Sequence, residues 1–359
     1  MDQAVRTRTT GLLFAVVSSV AFGASGPFGK ALINAGVSPL QATWLRVAGA
    51  ALVLVPLVLL LRGPAAVRAL RPHLPALALY GLTGMAGCQA LYFVAASRLP
   101  VGIAILLEFT GPVLVLVWLR LVRRAPVHRT AALGVAVAVV GLALVVQVWH
   151  GLRLDALGLA AGLGAAACQA AYFLIIDRFT GEVDPLAMSA AGTVAGTAVL
   201  SLLAAPWTLP FHLLGTAVPV GGHTAPGWTL AAWIILVSTV LAYITGVAGV
   251  QRLSAQVAGA ICYTEAVAAI LIAWAVLGER LTLVQAVGGA VVLAGAYIAQ
   301  RAVIDPAATA PDEGPVPDGS AADGPAPDGR AADAPRPRDL RPRPHGPDPE
   351  ASAPAVTGR

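Results

Sequence analysis

The sequence predicts an all-α, polytopic membrane protein: ten transmembrane helices arranged as two inverted five-helix repeats. Three observations lead there. The 359 residues are 57% hydrophobic and only 11% charged, with a mean hydropathy of +0.78, whereas soluble domains carry about 25% charged residues. The apolar residues gather into runs close to the roughly 20 residues a helix needs to cross a bilayer. Spacings in the first half of the chain also recur in the second.

Residues 1–10 form a short start carrying Arg6 and Arg8, expected on the cytoplasmic side. The run Gly11–Leu32 is interrupted at Gly26-Pro27 and carries Lys30 near its far end, where an interfacial anchor is the plain reading. A cleaved signal peptide is the competing view of this run, set aside because similar runs continue along the chain. Leu40–Leu61, holding Arg46, then Leu74–Ser97, Val101–Leu119 and Thr130–Val148 complete a first repeat over residues 11–150. Leu157–Ile176, Leu186–Ala205, Trp228–Val250, Ala255–Leu277 and Leu281–Gln300 make a second over residues 151–301. Pro206–Gly227 is the longest loop.

Ser38-Pro-Leu40 opens the second run and Asp184-Pro-Leu186 the seventh; Arg98-Leu99 precedes the fourth and Arg252-Leu253 the ninth. Five crossings per copy, an odd number, place the copies in opposite orientations, a recurring transporter plan with its site at the midplane. Cys88-Gln-Ala-Leu-Tyr-Phe93 also matches Cys168-Gln-Ala-Ala-Tyr-Phe173, but in runs three and six, which the repeat does not pair; chance is the default reading.

With the N-terminus inside, twelve basic residues face the cytoplasm and four (Lys30, Arg98, Arg153 and Arg280) face outward. This asymmetry predicts both termini in the cytoplasm. The basic excess therefore reports orientation, not a nucleic-acid partner. Three cysteines, all in apolar runs, and six scattered histidines give neither a disulfide framework nor a metal spacing. No cofactor and no enzymatic activity are expected, and no phosphate-binding loop is present. Residues 302–359 form a Pro/Asp/Ala/Gly-rich tail with 13 of the 27 prolines, a composition that predicts disorder.

Two acids stand out. Glu108 and Glu265 lie deep in apolar runs, where a carboxylate costs roughly 2.5–3.5 kcal/mol on insertion scales. Pro112 has no N–H to bond the carbonyl of residue 108, so a charge and a freed carbonyl share one depth. Such a spot must face protein or water. The expected substrate and proton pathway comprises Glu108, Thr110, Pro112 and Glu265, with Arg46, Gln89, Tyr92 and Tyr243. Gln169 and Tyr172 belong to the same polar set. Arg46 either balances an acid, coordinates a substrate carboxylate, or snorkels to the interface. Glu279, by contrast, sits at a turn expected to be aqueous.

Leu107-Glu-Phe-Thr-Gly-Pro112, preceded by Pro100-Val-Gly-Ile-Ala104, resembles the fourth span of the threonine/homoserine exporter family. Glu265-Ala-Val-Ala-Ala269 and Leu277-Gly-Glu-Arg-Leu-Thr282 resemble its ninth span and following turn. That family belongs to the drug/metabolite transporter superfamily, built from two EamA-type repeats. The resemblance covers roughly residues 11–300 and departs at Ala266, where the family tends to have proline. It implies a multi-pass protein of the plasma or inner membrane that exports small metabolites such as amino acids, coupled to protons by alternating access. The implied partners are a small polar or zwitterionic metabolite, protons and the lipid bilayer, with a homodimer left open. The alternative is a non-transporting sensor or scaffold whose tail binds a partner.

Overall fold

Ten apolar helices follow one another in the order that the hydropathy runs predict. The computed structural model describes residues 2–122, 124, 129–147, 154–177, 183–253 and 261–304. In the first half these are α1 (Thr9–Asn34), α2 (Pro39–Ala69), α3 (Arg71–Arg98), α4 (Val101–Leu121) and α5 (Arg129–Val146). In the second they are α6 (Ala156–Asp177), α7 (Pro185–Leu203), α8 (Gly227–Val250), α9 (Thr264–Leu277) and α10 (Leu283–Ile304). Seven are long and apolar enough to cross a membrane; α6, α9 and α10 carry shorter apolar stretches. The start of the ninth run, Ala255 to Ala260, and the whole 305–359 tail lie outside the described residues.

The helix starts are written in the sequence. Ser38 caps α2 by accepting from the Gln41 N–H while Gln41 bonds back to the Ser38 N–H. Asp184 does the same service for α7, accepting from Ala187 N at 2.9 Å. Thr282 and Gln285 form a reciprocal box before α10. Pro39 and Pro185 sit in the first turns, where a missing N–H costs nothing. The Ser38 and Asp184 caps occupy equivalent places in the two halves.

Breaks are equally local. Pro27 cannot donate to the carbonyl of Gly23, and α1 divides there, one helix ending at Gly23 and the next running over Ser25–Asn34. Pro112 divides α4 into Val101–Glu108 and Gly111–Leu121. Helices α3 and α8, the third of each half, contain π-helical stretches at Gly81–Cys88 and Trp233–Leu241. Such widened turns are rare and gather at functional sites.

The long loop holds an element that composition alone did not reveal. Strands β1 (Ala217–Val220) and β2 (His223–Pro226) form an antiparallel hairpin. Its turn is Gly221-Gly222, both at positive φ, as a two-residue hairpin turn of this hand requires. Gly221 N–H donates to Val276 O at 2.7 Å, tying the hairpin to the end of α9.

Phe93, Leu99, Ile103, Leu106, Leu107 and Ile234 are fully buried in one hydrophobic core cluster. Leu52, Leu60, Leu202 and Leu283 are about 80% exposed, as expected of helix faces turned to lipid. Among the described residues, α5 and α10 pack in close backbone contact. A Cβ on Gly134 would come within 2.6 Å of Ala299 N, and one on Gly288 within 2.8 Å of Val145 N. Gly141 and Gly295 are in equally tight contact with the facing backbone, the small-residue packing by which helices associate in lipid.

Candidate functional site: a cavity walled by both halves

A cavity of about 420 Å³ lies among α1, α3, α4, α6, α7, α8 and α9, drawing walls from both halves. It runs from mid-helix residues Ser18, Gln89 and Glu108 to Tyr80, Pro185 and Val250, at the end of the molecule where α7 begins and α8 stops.

Glu108 is carried to this cavity by the α4 break. With Pro112 starting a new helix, Glu108 is the last residue of the preceding one. The Thr110 hydroxyl donates to Leu107 O at 2.7 Å, so this threonine serves the turn and not the cavity. Two donors converge on Glu108 Oε1: the Cys88 thiol at 3.2 Å and Gln169 Nε2 at 3.4 Å. Both belong to the matching Cys-Gln-Ala strings. The donors come from different positions of the two strings, the first residue of one on α3 and the second of the other on α6.

Glu265 lines the same cavity from the first turn of α9. Among the described residues nothing donates a hydrogen bond to its carboxylate. Gly23 of α1 makes room for this segment, since a Cβ there would approach Glu265 O to 2.6 Å. Tyr243 also lines the cavity, donating to Met85 Sδ at 3.0 Å and standing edge-on to Phe22.

Arg46 and Tyr92 are placed otherwise. Arg46 is 2% exposed and does not border the cavity; it neither snorkels nor pairs with an acid among the described residues. Its guanidinium donates to Thr239 Oγ1 at 2.8 Å, Ser25 Oγ at 3.2 Å, Gln89 Oε1 at 2.6 Å and Ser238 O at 3.3 Å. The last carbonyl lies in the π-helical part of α8. Tyr92 turns its hydroxyl into the core against Gly26, where a Cβ would collide with it, and that hydroxyl has no partner among the described residues. Of the eight expected pathway residues, Glu108, Pro112, Glu265, Gln89 and Tyr243 meet at the cavity; Arg46, Thr110 and Tyr92 stand behind it. Cys88 and the unpartnered Tyr263 hydroxyl join them without having been expected. The repeated string was the one sequence signal for Cys88.

The opposite end is closed. Lys30 Nζ lies 2.7 Å from Glu279 Oε1 and also donates to Leu99 O at 2.7 Å. Glu279 Oε2 accepts from Val101 N at 2.7 Å. Lys30 is thus an ion-pair partner and not a free interfacial anchor, and Glu279 is only 19% exposed, not a freely hydrated turn residue. Together they join α1, the α3–α4 turn and the α9–α10 turn. Beside them Arg98 pairs with Asp155 at 3.2 Å, with both side chains well exposed. The Asp155 carboxyl is held below its ordinary pKa chiefly by the Gly158 N–H, with Arg98 adding to this.

Comparison with known proteins agrees with this architecture. Residues 9–147 and 156–300 each match the EamA-like transporter family. The Threonine/homoserine exporter RhtA of Salmonella typhimurium strain SL1344 is 33% identical over 215 residues, 57% of this chain and 64% of that protein. The chain thus matches a little under two thirds of that relative's length. The Escherichia coli K12 protein of the same name is 30% identical over 220 residues, 60% of this chain and 68% of its own. A solved crystal structure, 19% identical, shares the fold over 84% of this chain and 97% of its own length, with a TM-score of 0.50. With two matched repeats, ten apolar helices and a cavity walled by both halves, the chain is a multi-pass membrane protein and belongs to the EamA-like transporter family.

Proposed function

We propose that this protein is a secondary active exporter of small zwitterionic amino acids, of the threonine and homoserine kind, coupled to protons by alternating access. The observation that carries this reading is the pair of acids, one from each repeat, on a single cavity closed at one end. Its volume falls within the roughly 300–1,000 Å³ of small-molecule sites. The names of the relatives support the substrate class. The distribution of basic residues supports a cytoplasmic open end with both termini on the same side. Substrate then enters from the cytoplasm while the Lys30–Glu279 contact holds the outer end shut.

Glu108 is the proton carrier in this scheme. Protonated, it is a neutral hydrogen-bonding group; ionised, it accepts from Cys88 and Gln169. Exchange of the two repeats between their packed arrangements exposes it alternately to either side. The test is threonine-dependent proton flux in proteoliposomes containing the full chain. Flux that follows an imposed pH gradient is expected. A complete lack of threonine-dependent flux in either direction would overturn export and favour a sensor or scaffold.

A further inference from the structure

The oxygen of the Gln89 side-chain amide is turned toward Arg46, and the chemistry of the pair dictates that orientation. A guanidinium has donors only, so at 2.6 Å from Nη1 the amide must present its oxygen. Its nitrogen is therefore the end turned away. That Nε2 makes no hydrogen bond among the described residues. It is also absent from the buried polar atoms lacking a partner, which are Tyr92 Oη, Ser238 Oγ and Tyr263 Oη. Gln89 borders the cavity and Arg46 does not. The amide N–H groups are thus open donors on the cavity wall.

The charge behind them matters as much. All four acceptors around Arg46 are neutral: two hydroxyls, one amide oxygen and one backbone carbonyl. No carboxylate hydrogen-bonds to the guanidinium among the described residues; Glu265 and Glu108 act on it only through space. In a low-dielectric interior that charge reaches the neighbouring wall with little screening. On the same cavity Glu265 offers a carboxylate that accepts no hydrogen bond from the described residues. The cavity is polarised, with a donor backed by a cation at one place and an unpartnered carboxyl group at another.

We propose that Gln89 Nε2 is the point that recognises the substrate carboxylate, that Arg46 is a positioning residue holding the amide in that orientation, and that Glu265 receives the substrate ammonium. This rests on the export reading and adds a recognition rule: a ligand needs both ends of a zwitterion. A ligand with the ammonium but no carboxylate fills half the site.

The test uses the purified full chain in nanodiscs, titrated calorimetrically with L-threonine and with L-threoninamide, which keeps the ammonium and lacks the carboxylate. The wild type is expected to bind threonine about ten-fold or more tightly than the amide, the scale of one hydrogen bond to a charged group. Gln89→Glu, the same size but with oxygen in place of the donor, should collapse that preference to parity or reverse it. Gln89→Leu should also erase it, with threoninamide affinity changed by less than about three-fold. Arg46→Lys retains a charge but cannot hold Gln89, Thr239 and Ser25 together, and should narrow the same ratio. Threoninamide affinity reports folding in each variant, so a merely structural role would lower both ligands together. A ratio unchanged in both Gln89 variants, or a wild type that binds the two ligands equally, overturns this assignment alone. A wild type that binds neither overturns it together with the export reading.

Discussion

Glu108 and Glu265 each belong to the fourth helix of their half, α4 and α9, yet the chain treats them differently. Glu108 ends a helix, because Pro112 starts the next one. Glu265 falls in the first turn of one, with Ala266 after it. The partial charge at a helix C-terminus opposes a carboxylate, whereas an N-terminus favours one. Glu108 is compensated by side chains, the Cys88 thiol and the Gln169 amide; Glu265 has no such donors among the described residues. A repeat with approximate symmetry has thus produced one acid with a built hydrogen-bonding cradle and one open to the cavity. The cradle suits a group that changes protonation in place, and the open acid suits a group that meets substrate.

The largest effect that can break this contrast comes from exchanging the acids for amides. Glu108→Gln is expected to abolish threonine movement driven by a pH gradient while retaining threonine counterflow. Glu265→Gln should instead weaken threonine binding, by about ten-fold or more for a lost charge-assisted contact. Matching phenotypes in proteoliposome flux and counterflow would erase the distinction between the two acids.

A smaller effect sharpens it. Gln169→Leu removes one donor to Glu108 and leaves Glu265 untouched. The pH at which transport is half-maximal should move in Gln169→Leu and stay fixed in Val267→Ala, a substitution on the 47% exposed side of α9. Equal pH profiles would mean that the cradle does not tune Glu108.

The segments beyond the acids differ too, and they set the third prediction. Lys30→Gln and Glu279→Gln each remove a partly buried ion pair at the closed end, a change of about 1–3 kcal/mol in charged hydrogen bonding. Both should raise the labelling of cysteines introduced on the cavity wall by impermeant reagents added from outside. Unchanged labelling would show that this contact does not hold the end shut.

The smallest effect concerns the paired Arg-Leu positions. Arg98 meets Asp155 on an exposed surface, while Arg252 donates to Ala248 O and lies 5.3 Å from the Phe14 ring centroid. Exposed ion pairs contribute little, so Asp155→Asn should leave transport unchanged and lower thermal stability only slightly. Because the Asp155 pKa is depressed on folding, its contribution is present above the carboxylate's ordinary pKa and disappears as pH falls through the lowered value. The wild-type and Asp155→Asn unfolding temperatures should therefore converge in acid.

What was legible in the sequence was whatever short-range physics fixes. Apolar runs located all ten helices, and Ser38-Pro39 and Asp184-Pro185 announced equivalent helix starts. Pro112 announced the break beside Glu108. What escaped depends on contacts between distant segments. Hydropathy near Lys30 describes an interface, and only folding brings Glu279 to it. The depth of Arg46 was readable, but its separation from the cavity by Gln89 was not, because that depends on the rotation of α2 against α3. The β1–β2 hairpin was missed because two four-residue strands among prolines carry little alternation; Gly221-Gly222 was the available clue.

The glycine contact between α5 and α10 has a consequence for how the protein is made. These are the last helices of the two halves, and α10 begins about 140 residues after α5 ends. At roughly 5–20 residues per second of synthesis, that interval is on the order of 7 to 30 s. Throughout it, the Gly134 and Gly141 face of α5 has only lipid, or a translocon or chaperone, to rest against. Helix α10 is the one that covers it. Premature termination before Leu283 therefore strands a membrane-embedded intermediate with an open glycine face, a recognisable mark for quality control.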